Sequence, residues 1–551
     1  MIRPTIRPTI RPRTPTSEFT LAEQLAGAIA MAAFFYHLRH GHLLLYGDAV
    51  ARINIARRLF DSRTPGLAQL GTVWLPLPHL LMVPFLVSKS LWQTGMGGSI
   101  PSLLAFVLSV GGIFRLMQTV LPLGNSPGAG ASFAAWLAAG IFALNPNLMY
   151  LQTTAMTEPI YLAFFVWSVV FFAKAFGASS ERDERASAAS LLKAGLCVLG
   201  ASLTRYDGWF LAAVMVALAA GLASLPRFAP IRSGVKRFVV LSLAGPVLWI
   251  GYNAIVYRNP FEFASGPYSA KAIELKSRVP GMPPHPGTGN LRVAFHYFFK
   301  AAELNVAAGR WQIFWVLSLL LGTAIVVLFQ RKLWPLVLLW TPVPFYMLSI
   351  AYQGVPLFVP VWWPFSYYNV RYGLQMLPAF AVFTAAAAYG LIRFAATRYV
   401  RVAIGGVFVA LVAASYAGVW RAGPESFQEA VVNSRSRIAL ESALAKDLEI
   451  LPSDSTILMY LGNHVGALQQ AGIPLSHVIN EGNHRPWKRP SDPEGLWERA
   501  LANPAAYADY VIGFDNDAVA SAVNHDQLAS LVVLRVSGQP QAVLYKTMKK
   551  H

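Results

Sequence analysis

The sequence predicts a polytopic α-helical membrane protein of about eleven transmembrane helices, followed by a small C-terminal extracytoplasmic α/β domain. Three observations carry that prediction. Of 551 residues, 55% are hydrophobic and only 13% charged, whereas soluble globular chains carry about 25% charged residues; the mean hydropathy is +0.45. Apolar runs of membrane-crossing length recur between residues 21 and 420, separated by short basic segments. Beyond residue 421 the texture changes to short strand-like and helical stretches.

Residues 1–20 read as a disordered basic cytoplasmic tail built on a repeated Ile-Arg-Pro-Thr unit. No cleavable signal peptide is visible, because the first apolar run follows this tail and lacks a small-residue cleavage site. The spans fall at 21–45, 100–120, 131–149, 159–176, 191–204, 209–225, 237–256, 311–329, 333–352, 372–394 and 402–420. The stretch 75–92 is also apolar, but it is broken by Pro76, Pro78 and Pro84 and contains His79 and Lys89. Parity decides its treatment. If it does not cross, the N-terminus is cytoplasmic, and Arg182/Arg185, Arg227/Arg232/Lys236/Arg237, Arg331/Lys332 and Arg393/Arg398/Arg401 all fall inside, as the positive-inside rule requires. If it crosses, every one of those clusters moves outside. We therefore read 75–92 as a juxtamembrane or re-entrant segment, tolerated where it is buried in protein or lines a cavity.

The chain carries 45 Lys+Arg against 26 Asp+Glu, a net charge of +19. Because the excess sits between apolar runs, membrane orientation accounts for it and no nucleic-acid partner is implied. The single cysteine, Cys197, can form no intrachain disulfide.

The organisation is thus a membrane domain over 21–420, with outer loops at 46–99 and 257–310, and an extracytoplasmic domain over 421–551. In that last part, 425–449 reads as an amphipathic helix. Thr456–Leu461, Val478–Ile479, Tyr510–Phe514, Leu531–Leu534 and Ala542–Tyr545 read as strands, and Ser537–Pro540 suits a hairpin turn.

Acidic and unusual polar residues converge on the outer face. Asp48 heads an amphipathic stretch, 47–62, that would lie in the interface. It is either a helix N-cap alone or a general base, with or without a capping role. Glu158, in Thr157-Glu158-Pro159, is either a helix start with acid near the positive dipole or a functional carboxylate, since ionisable groups near the membrane usually mark function. Arg205 and Arg371 lie on the face where arginines are unexpected, and each needs an anionic partner, carboxylate or phosphate. Asp207 is a local partner for Arg205; for Arg371, followed by Tyr372, phosphate is the favoured partner. Trp74 and His79 among prolines form a candidate sugar-stacking platform, with interfacial anchoring the alternative reading of Trp74.

These features, in this order and on this side, resemble the GT-C superfamily of polytopic glycosyltransferases. The group of protein O-mannosyltransferases and lipid A aminoarabinose transferases is the most similar. The resemblance covers residues 20–420 and rests on Gly47-Asp48, Trp74-Leu-Pro-Leu-Pro, Thr157-Glu158-Pro159, Leu203-Thr204-Arg205 and Arg371-Tyr372…Pro378. It implies an inverting transfer of mannose or a related sugar from a polyprenyl-phosphate donor to a glycan, lipid or protein acceptor, outside the cell (inner) membrane. In that reaction Asp48 would be the base. Glu158, Arg205, Asp207, Arg371, Tyr372, Trp74 and His79 would bind substrate, and Asp48 with Glu158 would hold a divalent metal if one is used. One departure concerns the acceptor: protein O-mannosyltransferases often pair two acidic residues in the first loop, whereas Ala49 follows Asp48 here. The rival readings are a lipid-linked-sugar transporter or flippase, against which no internal repeat is visible over 20–420, and an O-antigen-ligase-like protein.

Overall fold

The computed structural model describes residues 15–121, 129–276, 283–329, 331–462, 464–483 and 494–548. Residues 1–14 of the expected tail and the loop 122–128 lie outside the described residues.

Among the described residues, nineteen α-helices precede the first strand. They are α1 (Pro15–Arg39), α2 (Gly47–Arg58), α3 (Leu77–Leu86), α4 (Lys89–Gln93), α5 (Met96–Val120), α6 (Ala129–Ala143), α7 (Pro146–Leu151), α8 (Glu158–Ser180), α9 (Glu184–Ser202) and α10 (Asp207–Ser224). Then come α11 (Arg232–Tyr257), α12 (Glu262–Ser265), α13 (Ala270–Lys276), α14 (Leu291–Val306), α15 (Trp311–Phe329), α16 (Pro342–Tyr352), α17 (Leu377–Phe394), α18 (Arg398–Ala422) and α19 (Glu425–Glu449). Among the described residues, nine helical segments are long and apolar enough to cross a membrane. Two further expected spans are also helical: α6 is shorter, and α9 is more polar, carrying Glu184, Arg185 and Lys193. The stretch 75–92 folds as α3 and α4, of 10 and 5 residues, too short to span.

In the helical core α8 packs against α5 and α9, while α17 packs against α15 and α6. Leu377–Ala388 of α17 is buried without interruption. Its small side chains let neighbours close in, as is usual where helices meet inside a membrane. At Gly322 of α15 a Cβ would collide with the Phe383 backbone, so this crossing needs glycine.

Beyond α19 lie β1 (Ile457–Met459), α20 (Gly466–Ala471), β2 (Val478–Ile479), α21 (Leu496–Ala502), α22 (Pro504–Tyr507), β3 (Tyr510–Phe514), α23 (Ala518–Ala522), β4 (Leu528–Leu534) and β5 (Ala542–Thr547). They form one sheet of order β2-β1-β3-β5-β4, in which β1 runs parallel to β2 and β3, and β5 antiparallel to β3 and β4. All five strands fall where the alternation of the sequence predicts them.

This α/β unit is clasped to the segment 46–99 by buried polar side chains. Asn54 Nδ2 donates to Gln469 Oε1 (2.7 Å), Gln469 Nε2 to the Trp92 carbonyl (2.7 Å) and Trp92 Nε1 back to Asn54 Oδ1 (3.0 Å). The Asp61 carboxylate accepts from Arg57 Nε (2.8 Å) and from the Ser476 amide (2.9 Å). Such closed triangles satisfy each amide and fix the register of α2, α4 and α20.

The exposed turn between α8 and α9 tests the orientation. In a Cys197→Ala background, Glu181→Cys should react in whole cells with a membrane-permeant maleimide only. Reaction with an impermeant reagent would invert the topology.

Candidate active site

Short backbone segments on one side of the helical core carry the charged groups. Asp48 sits in the first turn of α2, but the cap position belongs to Tyr46, which makes no side-chain cap bond. The capping alternative for Asp48 therefore fails: its carboxylate turns instead to Arg371. Glu158 is the first residue of α8 and is fully buried. Arg205 and Asp207 occupy the tight connection from α9 to α10, and Arg371 lies on the 3-10 turn Val370–Met376 that leads into α17.

Two glycines set the depth of the arginines. A Cβ at Gly373 would run into the Ala301 backbone of α14, and one at Gly208 into the Ala201 backbone of α9. Without those close approaches neither arginine-bearing turn could seat.

Arg371 is the centre of the cluster. One Nη donates to Asp48 Oδ2 at 2.6 Å, the other to Glu429 Oε1 of α19, and Nε stands 3.4 Å from Glu158 Oε1. Glu429 also accepts from the backbone amides of Asn369 (3.1 Å) and Arg371 (3.3 Å). Glu158 Oε1 is shared with Arg205 Nη1 at 3.1 Å, which also reaches Thr157 Oγ1 at 3.1 Å. Arg205 Nε pairs with Asp207 (3.2 Å), and Tyr346 bridges the two, accepting from Arg205 Nη2 at 2.9 Å and donating to Asp207 Oδ2 at 2.8 Å. The Tyr372 ring lies 4.8 Å from the Arg205 guanidinium and 5.3 Å from that of Arg371. Asp48, Glu158, Arg205, Asp207, Arg371 and Tyr372, scattered over more than 320 positions, thus form one continuous network.

Exposure within it is uneven. The Arg371, Glu158 and Glu429 side chains are 5%, 1% and 2% exposed, whereas that of Asp48 is 41% exposed. Asp48 is where the network meets its surroundings, and only its Oδ2 is engaged by Arg371.

Trp74 and His79 lie together but differ from an open stacking platform. Their rings are 6.3 Å apart at 19°, His79 is fully buried, and the Arg52 guanidinium covers Trp74 at 4.3 Å. Arg52 is one helical turn from Asp48 on α2 and is buried, and its Nε has no hydrogen-bond partner. Glu158 Oε2 is also without one. Among the described residues Arg52 makes no ion pair, although Asp48, Glu158 and Arg205 are the charges that act on it. Buried polar atoms left in this state are costly, and they mark the place where a polar ligand would complete the site.

Sequence reasoning passed over Arg52, Tyr46, Tyr346 and Glu429. Glu429 had no distinguishing signal, being one acid on a half-polar helix. Asn305 was equally silent. Its carbonyl accepts from Asn145 (2.8 Å) and Asn147 (3.0 Å), and its amide donates to the Val370 carbonyl (2.7 Å). Ser426 joins through Asn147 (2.8 Å) and gives its carbonyl to Tyr46 OH (2.7 Å). These bonds pin α7, α14, α19 and the Arg371 turn together beneath the charges.

The donor set does not fit a metal. Asp48 and Glu158 are joined by a guanidinium rather than facing a shared void, and among the described residues no group of three His, Cys, Asp or Glu side chains is placed to hold an ion.

The chain is a polytopic integral membrane protein with the GT-C fold. It superposes on ArnT from Cupriavidus metallidurans bound to undecaprenyl phosphate with a TM-score of 0.60 and 13% identity, over 96% of this chain and 98% of that one. The apo state of the same protein gives 0.58 and 12%, with the same coverage. The Archaeoglobus fulgidus oligosaccharyltransferase in complex with Zn and sulfate matches at 0.40 and 11%, over 96% of this chain and 73% of that one. No protein-family model and no curated protein matches the sequence.

Removing one member of a buried ion pair typically costs about 3–5 kcal/mol. Glu429→Ala should therefore lower the thermal unfolding midpoint markedly, and Glu429→Ala with Arg371→Ala should lower it by less than the two single effects added. Additive losses would show that the pair is not coupled. Gly373→Ala should misplace Arg371 while leaving the α/β unit folded, seen as loss of activity with intact far-UV circular dichroism; full activity would remove the close-packing argument.

Proposed function

We propose that the protein is an inverting glycosyltransferase that moves a sugar from a polyprenyl-phosphate carrier to an acceptor hydroxyl on the extracytoplasmic face of the inner membrane. The observation that carries this reading is the Asp48–Arg371–Glu158 arrangement, with a half-exposed carboxylate held on a buried guanidinium. The likeness in fold to a protein seen bound to undecaprenyl phosphate supports a lipid-phosphate donor.

Asp48 acts as the base. Arg371 fixes one of its oxygens, and the other accepts the acceptor hydroxyl proton as that oxygen attacks the anomeric carbon. The bond from this carbon to the phosphate oxygen breaks on the opposite face, and polyprenyl phosphate leaves with the electron pair, which gives inversion. Its developing charge is stabilised by cations already oriented in a low-dielectric site. Arg371 and Arg205 are already engaged by carboxylates, so Arg52 is the guanidinium with donors to spare, and the phosphate lies against it, within the field of the other two. Glu158 and Asp207 hold the arginines in register and Tyr372 separates them. Trp74, backed by His79, orients Arg52 and borders the sugar.

A positioned base contributes roughly 10²–10⁴-fold. Asp48→Asn should lower kcat by that factor with donor affinity retained, in an assay with a lipid-linked sugar and a verified acceptor; undiminished turnover would eliminate the base assignment. Arg52→Ala should instead raise the KM for the donor, and an unchanged KM would take Arg52 out of the phosphate site.

A further inference from the structure

A crevice of about 350 Å³, separate from the charged cluster, opens at the carboxyl ends of β1 and β3. The two strands are parallel neighbours whose exits diverge: β1 leads through α20 to β2 on one flank, and β3 through α23 to β4 on the other. In open parallel sheets this divergence leaves the cleft where ligands bind, and the volume lies in the roughly 300–1,000 Å³ range of small-ligand sites. Tyr460 and His464 follow β1, Phe514 ends β3, Asp515 and Asp517 come next, and Tyr268 closes the cleft from the outer loop of the membrane domain.

Two polar side chains lining it are incompletely satisfied. His464 is 5% exposed, and among the described residues its Nδ1 has no hydrogen-bond partner. Asp517 spends Oδ1 on capping α23, accepting from the Ala520 amide at 2.6 Å, and its buried Oδ2 has no hydrogen-bond partner among the described residues. The other surfaces are rings. His464 packs on Phe514 with centroids 4.5 Å apart, and the Tyr268 and Tyr460 hydroxyls meet at 3.5 Å.

The charge of the crevice selects its ligand. Burial and the nearby Arg437 push His464 down to about 4, so the imidazole is neutral at physiological pH, and Asp515 and Asp517 leave the cleft acidic. Phosphates and carboxylates are repelled, and no glycine-rich phosphate loop is present in the described part of this domain. A pyranose fits: its C–H face packs on aromatic faces, which are electron-rich, and its hydroxyls donate to carboxylates and exchange bonds with phenols and imidazole.

We propose that this crevice binds a neutral sugar unit of the acceptor glycan. Its assignment to the acceptor rests on the transferase reading; the binding does not.

The test uses the full chain in nanodiscs against neutral hexose and N-acetylhexosamine oligosaccharides, the same backbones bearing uronate or phosphate, and a lysine-rich peptide. Neutral oligosaccharides should bind and should slow hydrogen exchange over residues 510–518. Tyr460→Ala and Asp517→Asn should each weaken binding at least about tenfold. Asparagine caps a helix as well as aspartate does, so α23 survives the second change. Asp48→Asn should bind sugar normally. Absence of neutral-glycan binding, protection confined elsewhere, unchanged affinity in both crevice variants, or preference for the anionic sugars or the peptide would each overturn the site. A chain that binds sugar here but transfers none leaves the crevice standing and removes the transferase reading; transfer without binding here does the reverse.

Discussion

Arg371 holds one face of the helical core together. Its guanidinium never loses its charge and offers five donors in a fixed plane. It faces carboxylates that arrive from α2, α8 and α19. Burying that cation alone would be prohibitive, and burying Glu158 or Glu429 alone nearly so. The three elements are therefore obliged to converge, and the segment 46–99, the helical core and the base of the α/β unit share one electrostatic joint. The amide and hydroxyl bonds around Asn305 and the clasp at Asn54, Trp92 and Gln469 hold the same elements from either side.

The joint also produces a functional asymmetry. Asp48, Glu158, Asp207 and Glu429 face Arg52, Arg205 and Arg371, yet the pairing is not even. Among the described residues the acids of the interior are each matched to a guanidinium, Asp48 meets Arg371 through one oxygen, and Arg52 makes no ion pair. A half-exposed carboxylate and a buried guanidinium thus sit one turn apart on a single helix. Chemistry that removes a proton from one reactant while charge develops on another would use both together.

Much of this was legible in the chain. Low charge and long apolar runs indicated the fold class, and the parity of basic clusters kept the proline-broken stretch 75–92 from being counted as a span; it folds as two short helices. Asp48, Glu158, Arg205 and Arg371 stood out because ionisable groups at a membrane surface need a reason to be there. What could not be read was pairing. For Arg371 the sequence offered a carboxylate or a phosphate, with phosphate favoured; its pairing with Glu429 carried no signal, because Glu429 lies on an amphipathic helix where one acid looks like another. Arg52 drew no reading at all, because only the fold buries it over Trp74. Asn305 carried no signal, since a single asparagine acquires meaning only from the backbone carbonyls brought to it.

The most direct test is an experimental structure of the full chain with polyprenyl phosphate bound. The account predicts the phosphate within hydrogen-bond distance of Arg52, facing the open oxygen of Asp48, with Arg371 still bridging Asp48 and Glu158. A phosphate seated away from α2, or an Arg371 that contacts neither carboxylate, would contradict it.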